Sequence, residues 1–98
     1  MNEKFNNRGM QGLFDRDLII HPGETIDELL LDRGMSQREL ASMCGATEIH
    51  VSNVISGKRN ITVSFAKKLE YAFGIEAGFW LNLQNLYDEE LLSYEERQ

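Results

Sequence analysis

Between Ile26 and Tyr87 the apolar side chains return every three or four residues, and glycines punctuate the pattern at Gly34, Gly45, Gly57 and Gly74. That period is the mark of helices that each bury one face, so the chain reads as all-α, a row of five short helices. Ile26, Leu29 and Leu30 outline the buried stripe of a first helix that opens at His21-Pro22-Gly23-Glu24. Proline suits an opening turn, and Glu24, Asp27 and Glu28 lie near the positive end of the helix dipole. A second helix carries Leu40, Ala41 and Cys44 on one face, with Ser36 as its cap and Glu39 placed to close a capping box. Thr47 caps a third, whose Val51, Val54 and Ile55 point inward and which Gly57 is expected to end. Thr62 caps a fourth, with Phe65, Ala66, Leu69, Ala72 and Phe73 inward and Lys67, Lys68 and Glu70 outside. The fifth begins near Glu76 and carries Phe79, Trp80, Leu83, Leu86 and Tyr87, a wider apolar surface than one helix needs to dock on a small bundle.

The remaining segments divide the chain into an arm over residues 1–20, a helical body over residues 21–90 and a short acidic tail over residues 91–98. The arm lacks sustained helical spacing, and Asn6, Asn7, Gly9 and Gly12 loosen it. Its Leu13, Phe14, Leu18, Ile19 and Ile20 are apolar enough to dock on the body or on a partner. Leu91, Leu92 and Tyr94 carry the fifth helix's apolar surface into the tail. A length of 98 residues with 42% hydrophobic composition supports one folded domain and not two.

Second and third helices, joined by a glycine turn and followed by a basic pair, have the layout of a helix that reads DNA. The outward face of the third holds Glu48, Ile49, His50, Ser52 and Asn53, and a helix lying in the major groove meets base edges with its N-terminal half. Asn53 has an amide that pairs bidentately with adenine, and Ile49 suits a thymine methyl. Lys58 and Arg59 fall where a charge meets phosphate, and Gln37 at the head of the second helix is placed to do the same. Glu48 sits awkwardly, since a carboxylate repels phosphate unless it accepts from a cytosine amine. His50 is open between guanine reading, pH sensing and a solvated surface position.

A formal net charge of −6 argues against nucleic acid until it is divided along the chain. Residues 1–20 balance to zero, and residues 21–34 set Arg33 against Glu24, Asp27, Glu28 and Asp32 for −3. Residues 35–74 set Arg38, Lys58, Arg59, Lys67 and Lys68 against Glu39, Glu48 and Glu70 for +2, and the remainder carries −5. The only positive balance lies with the two-helix hairpin. The acidic ends are candidates for a basic protein partner.

Other chemistry is sparse. Cys44 alone excludes an internal disulfide, and two distant histidines give no zinc spacing, so no metal or cofactor is expected. His21 reads as a capping or packing residue, and Cys44 as a small core hydrophobe. Trp80 and Tyr87 sit at helical spacing in an acidic neighbourhood, which favours core or interface over base stacking. There is no nucleophile elbow, phosphate loop or close acid pair, so no enzyme activity is expected and no catalytic residue is assigned. The N-terminus lacks a long apolar run, and no segment approaches the roughly 18 uninterrupted apolar residues of a membrane span. A cytoplasmic protein is the natural reading.

The segments His21-Pro22-Gly23-Glu24, Leu29-Leu30, Met35-Ser36-Gln37-Arg38-Glu39-Leu40-Ala41, Val54-Ile55-Ser56-Gly57-Lys58-Arg59 and Phe79-Trp80-Leu81-Asn82-Leu83-Gln84 resemble the HigA antitoxins, helix-turn-helix proteins of the Xre and phage-repressor superfamily. The resemblance spans roughly residues 21–88, and its opening and closing motifs are more specific than the shared hairpin. It implies a five-helix, lambda-repressor-like domain that binds operator DNA as a homodimer, represses its own operon and neutralises a HigB toxin, a small basic RelE-like mRNA interferase. It also implies a DNA-facing set of Gln37, Thr47, Glu48, Ile49, His50, Asn53, Lys58 and Arg59. Glu48 and His50 stand where small or basic residues are more usual. Because such proteins read paired half-sites, the surplus surface of Phe79, Trp80, Leu83, Leu86 and Tyr87 is assigned to a subunit interface. Two rivals remain: a stand-alone Xre-type repressor with no toxin, and an interaction module that kept the fold and lost DNA binding.

Overall fold

The computed structural model describes residues 19–97, which form five helices: α1 (Pro22–Arg33), α2 (Gln37–Cys44), α3 (Glu48–Ile55), α4 (Val63–Phe73) and α5 (Ala77–Glu96). The arm expected over residues 1–20 lies outside the described residues except for Ile19 and Ile20. α5 runs on to Glu96, so the acidic segment from Leu91 continues that helix.

Local chemistry accounts for most helix boundaries. Ser36 and Glu39 close the expected capping box, the Glu39 amide donating to Ser36 Oγ at 3.0 Å and the Ser36 amide to Glu39 Oε1 at 2.9 Å. The Ser36 amide, and after it the Ser36 side chain, favour the ionised carboxylate and hold Glu39 below its ordinary pKa. Thr47 Oγ1 accepts from the His50 amide and Thr62 Oγ1 from the Phe65 amide. α5 has no side-chain cap of its own; Glu70 of α4 accepts from the Ala77 amide instead. The third helix ends differently from the expectation. Ile55 is its last residue and Ser56 its right-handed cap, and Gly57 makes the left-handed turn one position later at φ 83°, a value that favours glycine.

The core gathers Ile26 and Leu30 from α1, Leu40, Ala41 and Cys44 from α2, Val51 and Val54 from α3, and Phe65, Ala66, Leu69, Ala72 and Phe73 from α4. Leu29 and Ile55 pack against it half-buried. Ile61 of the α3–α4 connection joins it as well, which the spacing of the helices does not announce. The most extensive helix pairing is that of α4 with α5. One close approach dictates a residue: a Cβ at Gly23 would meet the carbonyl oxygen of Val54 and stand 2.7 Å from that of Ile55. The head of α1 therefore rests directly on the last turn of α3.

One expectation is corrected by this packing. Trp80, assigned to a subunit interface, is wholly enclosed within the protomer. Its ring lies 5.9 Å from that of Phe73, and its indole N–H donates to the Ile75 carbonyl at 3.2 Å. The reason is the turn at Gly74, which sets the first turn of α5 back against the end of α4. No helix among the described residues is long and apolar enough to cross a membrane.

Candidate nucleic-acid interface

α3 stands on the core through Val51 and Val54 and offers the opposite face to solvent. Thr47, Glu48, Ile49 and Ser52 are exposed, and Asn53 is half-buried at the end of that face. Ile49 is 73% exposed, unusual for an isoleucine on a helix with a dry side. Gln37, at the first turn of α2, is half-buried.

Asn53 also organises the basic turn that follows. Its carbonyl oxygen accepts from the amides of Lys58 at 2.9 Å and Arg59 at 3.1 Å, and from Ser56 Oγ at 3.2 Å. Both amides are thereby spent inside the protein. What this turn offers to solvent is the exposed side chains of Lys58 and Arg59.

Two residues behave in ways their types did not show. Glu48 lies 3.6 Å from the Arg38 guanidinium of α2, which partly neutralises the carboxylate that looked awkward beside DNA. Both side chains are exposed, so the pair contributes little to stability. His50 is half-buried, with its imidazole stacked on Phe65 at 4.8 Å and 14°. Burial, and then the nearby charges of Arg59 and Lys68, press its pKa below the ordinary histidine value. The ring thus bridges α3 and α4, in surroundings that favour its neutral form.

On α5, Phe79 is 43% and Leu86 54% exposed, and seven residues place them on one face with the half-buried Leu83 between. Tyr87 is half-buried with its ring edge-on to His21 at 4.8 Å. Cys44 is buried, its thiol pushed up by burial against a smaller opposing effect of Lys68, and its Sγ contacts the Lys68 carbonyl. Among the described residues no group of His, Cys, Asp and Glu has metal-holding geometry.

Sequence reasoning assigned no role to Arg38, Asn60, Gln84 or Asp88. Gln84 is one helical turn beyond Trp80, so its inward phase was readable. The partner it meets was not.

The hairpin on a three-helix support, with a wet outer face and a basic turn behind it, defines a helix-turn-helix DNA-binding protein. The Helix-turn-helix family profile matches residues 26–80. An addiction module antidote protein of the HigA family from Coxiella burnetii is 38% identical, with a TM-score of 0.69 over 74% of this chain and 79% of that one. Pseudomonas aeruginosa antitoxin HigA, solved with the higBA promoter, is 32% identical, with a TM-score of 0.71 over 74% of this chain and 80% of that one. Virulence-associated protein I of Dichelobacter nodosus is 36% identical over 70 residues, which make up 70% of this chain and 65% of that relative's length. The chain therefore belongs to the Xre-type helix-turn-helix family and, within it, to the HigA antitoxins, a group of DNA-binding proteins and not of enzymes.

Proposed function

We propose that the protein is the antitoxin of a HigBA-type module, a cytoplasmic homodimer that binds operator DNA upstream of its own gene and neutralises a HigB-like mRNA interferase. The observation that carries the DNA-binding half is the exposed face of α3 running into the Lys58–Arg59 turn, which hangs from the carbonyl of Asn53. Thr47, Glu48, Ile49 and Asn53 face the groove in this reading, with Gln37, Lys58 and Arg59 on phosphate. A relative solved with promoter DNA supports it. His50 belongs to the set as a support of α3 and not as a base reader, since its ring is stacked on Phe65.

The toxin half is supported by likeness to HigA antitoxins and by the acidic balance beyond residue 75. Expressing the small basic reading frame beside this gene should arrest growth, and co-expression of the protein should relieve the arrest. Specific binding of the upstream duplex together with an absent or harmless neighbour would leave a stand-alone repressor. Loss of specific DNA binding in the purified protein would remove the proposal.

A further inference from the structure

We infer that Gln84 and Asp88 of α5, with His21 at the head of α1, are positioning residues that hold the Lys58–Arg59 turn in place for phosphate. The inference rests on the reading of that turn as a phosphate clamp.

The connection from Ser56 to Thr62 is held at successive residues by different parts of the fold. Lys58 and Arg59 hang from the Asn53 carbonyl, as described. Asn60 Oδ1 lies 3.4 Å from His21 Nε2. Because His21 Nδ1 accepts from the Gly23 amide at 2.9 Å, the hydrogen is on Nε2, which donates to Asn60. The Ile61 amide donates to Gln84 Oε1 at 2.7 Å in a buried setting, and Gln84 Nε2 donates to Asp88 Oδ1 at 3.0 Å. That last bond fixes which way the amide faces. A carboxylate only accepts, so Asp88 draws the NH2 group and leaves the oxygen aimed at Ile61.

His21 and Gln84 are the buried polar residues among those described, and both use both of their polar atoms. Each reaches across a long stretch of chain to the same connection, 39 and 23 residues away. Tyr87, three residues beyond Gln84 on α5, stands edge-on to His21. A turn held this way presents its two basic side chains from a fixed backbone, so little order must be gained on binding DNA. Phosphate contacts set the register of a reading helix, and a loosened turn makes fewer of them.

A bond that merely stabilises the fold predicts something different. Loss of stability lowers the amount of active protein, but the slope of log affinity against log salt counts phosphates neutralised and is independent of that amount. The test is that slope, measured for the full chain on a duplex of the upstream region between about 50 and 200 mM salt. Gln84→Met keeps the volume and removes the acceptor; Asp88→Ala keeps the acceptor and releases its orientation. Both should give a shallower slope than the parent, by about 0.9 for each phosphate no longer neutralised, and K58A/R59A should set the limit. Q84E/D88N should restore the parental slope, because the introduced carboxylate accepts from Ile61 while the introduced amide donates to its second oxygen. Hydrogen exchange at the Ile61 amide should speed up in Gln84→Met and slow again in the double variant.

Parental slopes in Gln84→Met and Asp88→Ala beside a shallower K58A/R59A would overturn the tether and leave the clamp standing. A parental slope in K58A/R59A would remove the clamp and the inference with it. Should Gln84→Met fail to fold, Asp88→Ala decides by the same criterion.

Discussion

Asn53 has separable atoms for two purposes: its carbonyl holds the basic turn, and its side chain is the base reader in the proposed function. Asn53→Ala keeps the carbonyl, so the phosphate clamp should survive the change. Binding should lose preference at one base pair in each half-site, at a cost of about 1–3 kcal/mol on the preferred operator. Titration against single-base operator variants checks it, and a uniform loss across all variants would place the side chain on the backbone. Glu48→Gln asks about the neighbouring position. Removing the negative charge also frees Arg38 from its 3.6 Å pairing, so affinity should rise at low salt for every sequence. His50 has its own consequence. Its pKa is held below that of the unfolded chain, so the unfolded state takes up the proton first as pH falls. Its contribution to stability is whole above about pH 6.5 and drains away as pH drops through the folded value. His50→Gln should flatten that acid limb of the melting curve relative to the parent, while the carboxylate-driven loss at lower pH stays.

At the scale of elements, the junction between α1 and α3 is the least forgiving. Gly23→Ala would push a methyl group into the Val54 and Ile55 carbonyls, where backbone and not a flexible side chain has to give. The head of α1 must lift off the last turn of α3, and the His21 bonds to Gly23 and Asn60 are strained with it. Destabilisation of about 1–3 kcal/mol or more is expected, read from denaturant midpoints at unchanged slope. Most helix limits at this scale were legible, because Ser36, Thr47, Thr62 and the glycines act through neighbours three or four residues away. The end of α3 was read one residue out, and the head of α5 has no local cap at all because Glu70 reaches over from α4. Partners seven or more residues away leave no periodic trace.

For the whole molecule, two half-sites on one face of DNA require recognition helices about 34–36 Å apart, which a rigid subunit interface would fix. With Trp80 withdrawn into the core and the half-buried Tyr87 turned edge-on to His21, the face left for that interface on α5 is Phe79, Leu83 and Leu86. Sedimentation at about micromolar concentration should give twice the protomer mass, and Leu86→Asp should return it to one while leaving the fold intact, since Leu86 is 54% exposed. A parent that sediments as a monomer would assign that face to another partner. The amino-acid sequence by itself determined the all-α class, the five helices, the inward stripes, the hairpin with its basic turn and the family. Each of these rests on spacing or chemistry within a few residues along the chain. Tertiary structure decided which of the fifth helix's aromatic residues is core, that His50 lies flat on Phe65, that Arg38 answers Glu48, and that His21 and Gln84 converge on one connection. Those outcomes depend on how separate helices are turned toward each other, across 39 and 23 residues of chain for His21 and Gln84, and the angle of that turn is set by the packed core as a whole.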